Sequence, residues 1–182
     1  MLLSVYIEGA RDADAMLGRL TGYFTARNEP VVLVFLGDHL PYLGDNQLAY
    51  RELGMNLTPE ENGSAGFLNS YETPYVIWAN DAAARALDWD AAVAALNLPP
   101  DGTISACFLG STVLELTGRG EESPWFRFMN ELRREYPVVQ KGTAALSDGT
   151  VTTVDALDQS GADLLSKWRC WSYYKLKYKD VG

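Results

Sequence analysis

The residue pair with the clearest chemical potential is Asp38–His39, near the end of the segment Val31–Leu40, VVLVFLGDHL. A carboxylate next to an imidazole offers one oxygen and one nitrogen donor, which together can begin a site for a divalent metal. His39 is the single histidine of the chain, so no other residue competes for an imidazole role. Two ligands do not complete a coordination shell, and further ligands would have to come from elsewhere.

The same pair also has a purely structural interpretation. An Asp that follows a strand often caps a helix or a turn, and a single His is often only a hydrogen-bonded residue. Spacing alone leaves both interpretations open.

The element that must position this pair is the apolar run Val31–Leu36. Such a run is typical of a strand buried on both faces in a parallel sheet. Gly37 ends the run, so Asp38 and His39 are expected at the carboxyl end of a central strand, where open α/β sheets bind ligands. We expect both side chains to point into a surface depression.

Neighbouring segments predict the rest of this layer. Residues Ala10–Arg27 show apolar positions at helical spacing, and Pro30 ends that helix. Tyr75–Trp78, opened by Pro74, predicts a second core strand parallel to the first. Glu72 lies just before it and is a weaker candidate for the same sheet edge as Asp38.

Further elements follow from caps, turns and periodicity. They are a short helix around Gln47–Leu53, helices at Ala82–Leu87 (capped by Asp81) and Trp89–Leu96, an apolar helix from Thr103 to about Leu116, a helix from Ser123–Pro124 to Glu135, a hairpin around Ser147–Gly149, and a last helix Gly161–Trp171 that leads into Tyr173–Tyr178 as an extension or an edge strand.

Composition excludes some functions. The chain has 182 residues and a net charge of −9, which argues against nucleic acid as its partner. We find neither a signal peptide nor an apolar run of transmembrane length. Cys107 and Cys170 are expected to be buried free thiols. No serine has a nucleophile-elbow pattern, and Ser111 and Thr112 are predicted to be ordinary helix residues.

Three segments, in this order and spacing, resemble a known family: DADAMLGRL at Asp12–Leu20, VVLVFLGDHLPYLGDN at Val31–Asn46 and NSYETPYVIWAN at Asn69–Asn80. Together they look like the C-terminal part of the sulfatase-like catalytic domain of lipoteichoic-acid synthase-type enzymes, in the alkaline phosphatase superfamily. The similarity is strong over Ser4–Asn80, whereas Ile104–Tyr178 is similar in pattern only.

The resemblance implies an α/β fold, the C-terminal portion of an alkaline-phosphatase-like fold with mostly parallel core strands, flanking helices and a smaller α+β subdomain. We expect residues 1–100 to form the C-terminal part of the sulfatase-like core. Residues 101–182 are expected to form a subdomain of helices and a small sheet.

In that family the Asp-His pair at this position binds the catalytic metal. The resemblance therefore assigns Asp38 and His39 to an incomplete site for Mn, Mg, Ca or Zn. Family members carry an acidic ligand, a Thr or Ser nucleophile and further substrate-binding residues upstream of this region. No residue of this chain is therefore assigned as the nucleophile or as a substrate contact.

The implied function is that of a fragment of a metal-dependent hydrolase or phosphoglycerol-type transferase, inactive alone, which acts on lipid-linked or small phosphate or sulfate esters. Expected partners are the upstream half of the domain or a second copy, docked on an exposed apolar face. The family implies a membrane-anchored enzyme of the bacterial cell envelope with an extracellular catalytic domain. The rival interpretation is a non-catalytic binding or partner domain that retains the fold.

Overall fold

The computed structural model describes residues 2–55, 57, 68–140 and 142–178. The chain divides into two compact units, Met1–Trp89 and Asp90–Gly182. The described residues combine helices with small antiparallel sheets. This mixed architecture is compatible with the expected α/β class.

The first unit begins with a long helix, α1, at Leu2–Thr25. The periodicity that predicted a helix over Ala10–Arg27 is confirmed, but the helix starts eight residues earlier. No side chain of α1 is buried among the described residues, and Val5, Tyr6 and Ile7 are exposed. The helix therefore leaves apolar surface open to solvent.

The strands β1 (Val32–Leu36) and β2 (Tyr75–Ala79) form a two-stranded sheet close to the predicted bounds. They run antiparallel, with Val32 opposite Ala79 and Leu36 opposite Tyr75, so the prediction of a parallel pair is wrong. The expectation of a central strand buried on both faces is also wrong, because β1 has no buried residue and Leu36 is exposed. An apolar run favours a covered strand but does not fix its direction. A long connection between two strands permits either direction.

The short helix predicted around Gln47–Leu53 is confirmed. A 3₁₀ turn at Asp45–Gln47 leads into α2 at Leu48–Glu52. Its packing buries a small apolar cluster of Leu43, Ala49, Tyr50 and Leu57.

Helix α3 (Asp81–Leu87) begins at Asn80, whose side chain accepts a 2.9 Å hydrogen bond from the backbone N–H of Ala83. The sequence analysis predicted Asp81 as the cap of this helix, and that prediction is wrong: the cap is Asn80. Asn80 is the better cap here because it is buried and its amide can also donate, whereas Asp81 is exposed.

The second unit is built of helices around a three-stranded antiparallel sheet of order β3-β4-β5. Its elements are α4 (Trp89–Ala95, which begins at the boundary), α5 (Leu109–Leu116), α6 (Pro124–Glu135), β3 (Val138–Gln140), β4 (Thr143–Ala145), β5 (Val151–Thr153) and α7 (Gln159–Lys177). The core is formed by Phe108, Phe128, Met129, Leu132, Val139 and Leu165.

Two predictions in this unit are confirmed. Helix α6 starts at Pro124 and ends at Glu135 as predicted. The hairpin around Ser147–Gly149 joins β4 to β5. In both cases the signal is local, a proline in the first helical turn and an Asp-Gly turn.

The helix predicted from Thr103 starts later, because the preceding residues pair with β3. The Ser105 hydroxyl donates to the Val139 carbonyl at 3.0 Å and accepts from the Val139 N–H at 2.9 Å. A 3₁₀ turn at Ala106–Phe108 then precedes α5.

At the end of the chain, α7 continues to Lys177, which decides between the two alternatives for Tyr173–Tyr178 in favour of a helix. Cys107 and Cys170 are free thiols, as expected, but both are exposed rather than buried. The described residues include no helix with the length and apolar character needed to cross a bilayer.

Candidate functional site

The candidate site starts at Gly37, which directly follows β1. Its N–H donates to the Pro74 carbonyl at 3.0 Å, and its carbonyl accepts from the Thr73 hydroxyl at 2.8 Å. A Cβ on residue 37 would lie 3.1 Å from the Thr73 Cβ. Glycine is therefore required for close approach, and Thr73–Pro74 fix the backbone from which Asp38 emerges.

The His39 ring is oriented by its own backbone neighbour. Nδ1 lies 3.0 Å from the Leu40 carbonyl oxygen. A carbonyl oxygen can only accept, so this contact requires a proton on Nδ1, and in the neutral ring Nε2 then carries the lone pair. A backbone acceptor behind the ring is the arrangement found for metal-binding histidines.

The Asp38 carboxylate lies beside that ring. Its Oδ1 accepts from the His39 N–H at 3.0 Å, and its Oδ2 is 3.7 Å from His39 Nε2. The side chains are 88% and 77% exposed for Asp38 and His39, respectively.

This donor pair fits a single divalent ion. Two ligands at about 2.1 Å from one ion can be no more than about 4.2 Å apart, and the observed 3.7 Å meets that condition. The described part of the chain contains no group of three or more His, Cys, Asp or Glu side chains placed to hold a metal. The structure thus brings two candidate ligands together, and the described residues add no third.

Glu72 lies at the same end of the sheet as Asp38. Since Leu36 is opposite Tyr75, the antiparallel pairing puts the start of β2 next to the end of β1. Glu72 lines an open cavity of about 580 Å³ together with Leu40 and Thr73.

Asp38 and His39 do not line that cavity. Both follow β1 with largely exposed side chains, and the expectation that they point into a surface depression stays a prediction. The sequence reasoning missed the contact of Thr73 with the Gly37 carbonyl, although the Thr-Pro motif before the second strand was visible.

The segment after His39 is held by Tyr50. Its hydroxyl donates a 2.7 Å hydrogen bond to the Pro41 carbonyl. Burial, followed by the nearby Tyr6, raises the pKa of Tyr50 above its usual value, so this hydroxyl remains a donor at neutral pH.

The prediction that Ser111 and Thr112 are ordinary helix residues is confirmed. Both side chains are buried in α5 and donate to the Phe108 carbonyl at 2.9 Å.

Comparison with known proteins places the chain in a family. The sulfatase family model matches residues 2–119. A protein of Rhizobium meliloti (strain 1021), described as "Putative cyclic beta-1,2-glucan modification protein", is 28% identical over 144 residues, which is 77% of this chain and 20% of that protein. The chain thus spans about a fifth of the length of this curated relative. No solved structure matches. Because the family match extends over more than half of its residues, the chain belongs to the sulfatase family.

Proposed function

We propose that Asp38 and His39 are two ligands of a divalent metal in a sulfatase-like site that hydrolyses or transfers a phosphate or sulfate ester. The observation that carries the proposal is the oriented imidazole. Because Nδ1 of His39 contacts the Leu40 carbonyl, the other ring nitrogen, Nε2, is left to coordinate a metal, and it lies 3.7 Å from the Asp38 carboxylate. Membership of the sulfatase family supports the ester chemistry.

A divalent ion bound there would neutralise charge on the ester oxygens and lower the pKa of an attacking hydroxyl. The residues of this chain hold their donor atoms in place for that chemistry. Asp38 supplies an anionic oxygen, and His39 supplies a neutral nitrogen whose ring is fixed by Leu40. Thr73 fixes the Gly37 carbonyl and with it the position of both ligands.

The remaining ligands and the nucleophile are proposed to come from a further part of the sulfatase-like domain that docks on the first unit. A two-stranded sheet is marginal by itself in water, and Leu36 of β1 and Val76 of β2 are exposed. Helix α1 is long and has no buried side chain, so it too offers surface to a docking partner. Self-association through the same surface is the alternative arrangement.

The transferred group is proposed to be phosphoglycerol-like, following the resemblance to lipoteichoic-acid synthase-type enzymes, and the enzyme is proposed to act in the bacterial cell envelope. The description of the Rhizobium meliloti relative names a cyclic glucan. We therefore extend the proposal to a sugar hydroxyl as the acceptor of the transferred group.

Binding of Mn²⁺, measured by electron paramagnetic resonance, tests the ligand pair. The chain should bind Mn²⁺ weakly, because two protein ligands leave most coordination positions to water. His39→Gln and Asp38→Asn should each lower the affinity at least severalfold. Asp14→Asn, an exposed carboxylate of α1, should leave it unchanged. Equal affinity in all four proteins would overturn the assignment.

Turnover tests the division of the site. The chain alone should not cleave aryl phosphates or sulfates, and a nucleophile-bearing part of the domain should restore metal-dependent turnover. Metal-dependent turnover by this chain alone, lost in Asp38→Ala, would contradict the proposed division. Metal binding without any turnover in the assembled domain would favour the rival interpretation, a non-catalytic binding domain.

A further inference from the structure

The C-terminal end of α7 exposes aromatic and basic side chains, and we propose that this surface docks on an anionic lipid bilayer. We call it the α7 patch and define it by Arg169, Tyr173, Leu176 and Lys177. The proposal concerns the second unit and does not depend on the ester chemistry of the first.

The first argument is charge. The segment Leu164–Tyr178 contains no Asp or Glu and four basic residues, whereas the whole chain has a net charge of −9. Positive charge is therefore concentrated at one end of one helix. A surface of this kind is complementary to anionic headgroups, with each Lys or Arg near the membrane adding to the attraction.

The second argument is exposed apolar area within the patch. Tyr173 is 62% exposed and Leu176 is 80% exposed. Together with Arg169 they follow the spacing of neighbouring positions on one side of a helix. Tyrosine and leucine beside cations are typical of helices that lie in the headgroup region of a bilayer.

One cation and one aromatic ring of the patch already contact each other. Lys177 Nζ donates to the Tyr173 hydroxyl at 3.2 Å and lies 5.5 Å from the centre of its ring. A lysine can keep its ammonium at the headgroups while its stem covers apolar surface. Desolvation of the ring therefore need not bury the charge.

Other side chains of α7 anchor the helix to the second unit. Leu165 is buried, and Trp168 and Trp171 pack against the core. The patch is therefore presented by a fixed helix rather than by a free tail.

An open apolar cavity of about 540 Å³ also lies along α7 and is lined in part by Trp125, Trp171 and Tyr174.

Vesicle co-sedimentation tests the proposal with the 182-residue chain. The chain should bind phosphatidylcholine vesicles that contain about one third phosphatidylglycerol, and should not bind pure phosphatidylcholine vesicles. Binding should weaken as salt is raised, since the attraction is screened. Arg169→Gln/Lys177→Gln should lower the partition coefficient on the order of tenfold. Tyr173→Ser/Leu176→Ser should lower it by a similar factor.

The matched control is Tyr42→Ser/Leu48→Ser, which removes a tyrosine and a leucine that are also more than half exposed from the first unit. It should bind as the wild type does. Absence of binding to anionic vesicles, or equal loss in the control, would overturn the proposal. Sedimentation velocity without lipid tests whether a second copy of this chain binds to the patch instead. A dimer that dissociates in Tyr173→Ser/Leu176→Ser would assign the patch to self-association instead.

Discussion

The Thr73 hydroxyl donates a 2.8 Å hydrogen bond to the Gly37 carbonyl, and this contact ties the start of β2 to the residue before Asp38. The Gly37 N–H in turn donates to the Pro74 carbonyl at 3.0 Å. Both backbone polar groups of Gly37 are thus satisfied by two adjacent residues. The place of the candidate ligands therefore depends on the Thr73–Pro74 segment as much as on β1.

Alanine at Gly37 should destabilise the chain. Its Cβ would lie 3.1 Å from the Thr73 Cβ, and overpacking of this kind costs on the order of 1 kcal/mol or more. The same substitution at Gly9, in α1, meets no atom within 4 Å. It should stabilise by roughly 0.5–1 kcal/mol, because alanine favours a helix interior. Urea unfolding midpoints should move in opposite directions, and a shift in the same direction would contradict the Thr73 contact.

Asn80→Ala should be among the most damaging polar substitutions in the first unit. The Asn80 amide donates to the Glu29 carbonyl at 2.9 Å and the Phe24 carbonyl at 3.1 Å, and its oxygen accepts from the Val31 N–H at 3.0 Å. Loss of a cap and of these bonds should cost on the order of 2–4 kcal/mol.

Asp81→Ala, one residue along, is the control for Asn80→Ala. It removes only an exposed charge from the first turn of α3 and should cost less than about 1 kcal/mol. Thermal unfolding monitored by circular dichroism separates the two variants. Equal losses would mean that Asn80 does not join α1, β1 and α3.

Glu115→Ala should destabilise the second unit strongly. Its carboxylate pairs at 2.8 Å with Arg133, whose side chain is fully buried, and also contacts Arg134. Removal of the Glu115 carboxylate takes an ion-pair partner from a buried guanidinium, at a cost of about 3–5 kcal/mol in comparable pairs. Glu122→Ala breaks the exposed Arg119 pair and should leave the unfolding midpoint nearly unchanged. A large loss in Glu122→Ala, or none in Glu115→Ala, would contradict this ranking.

The β4–β5 turn should weaken in acid. The Thr150 N–H donates to Asp148 Oδ1 at 2.8 Å and lowers the pKa of this carboxyl below its ordinary 3.8. A lowered pKa stabilises the folded state above the unfolded-state pKa, and this contribution is lost as pH falls through the folded-state value. The protection factor of the Thr150 amide, which compares its exchange rate with that of the unfolded chain at the same pH, should therefore fall below about pH 4. Asp148→Asn keeps an oxygen acceptor and should lose this pH dependence; an unchanged pH profile would contradict the prediction.

The amino-acid sequence by itself determined the elements that depend on neighbouring residues. The β1 strand, the start of α6 at Pro124 and the hairpin at Ser147–Gly149 follow from an apolar run, a proline and a turn dipeptide, whose backbone preferences act over a few residues. The sequence also determined that Asp38 and His39 lie together after β1, because adjacent residues need no fold to meet.

Only the tertiary structure decided which distant residues meet. The direction of β2 depends on contacts across a long connection, and the antiparallel result brings Glu72 and Thr73, rather than Asn80, to the Asp38 end of the sheet. The choice of Asn80 over Asp81 as the cap of α3 depends on carbonyls at the end of α1 that only the folded chain places within reach. Local propensity does not depend on such partners. Hydrogen bonds between segments far apart in sequence form only once packing has fixed the distance between those segments.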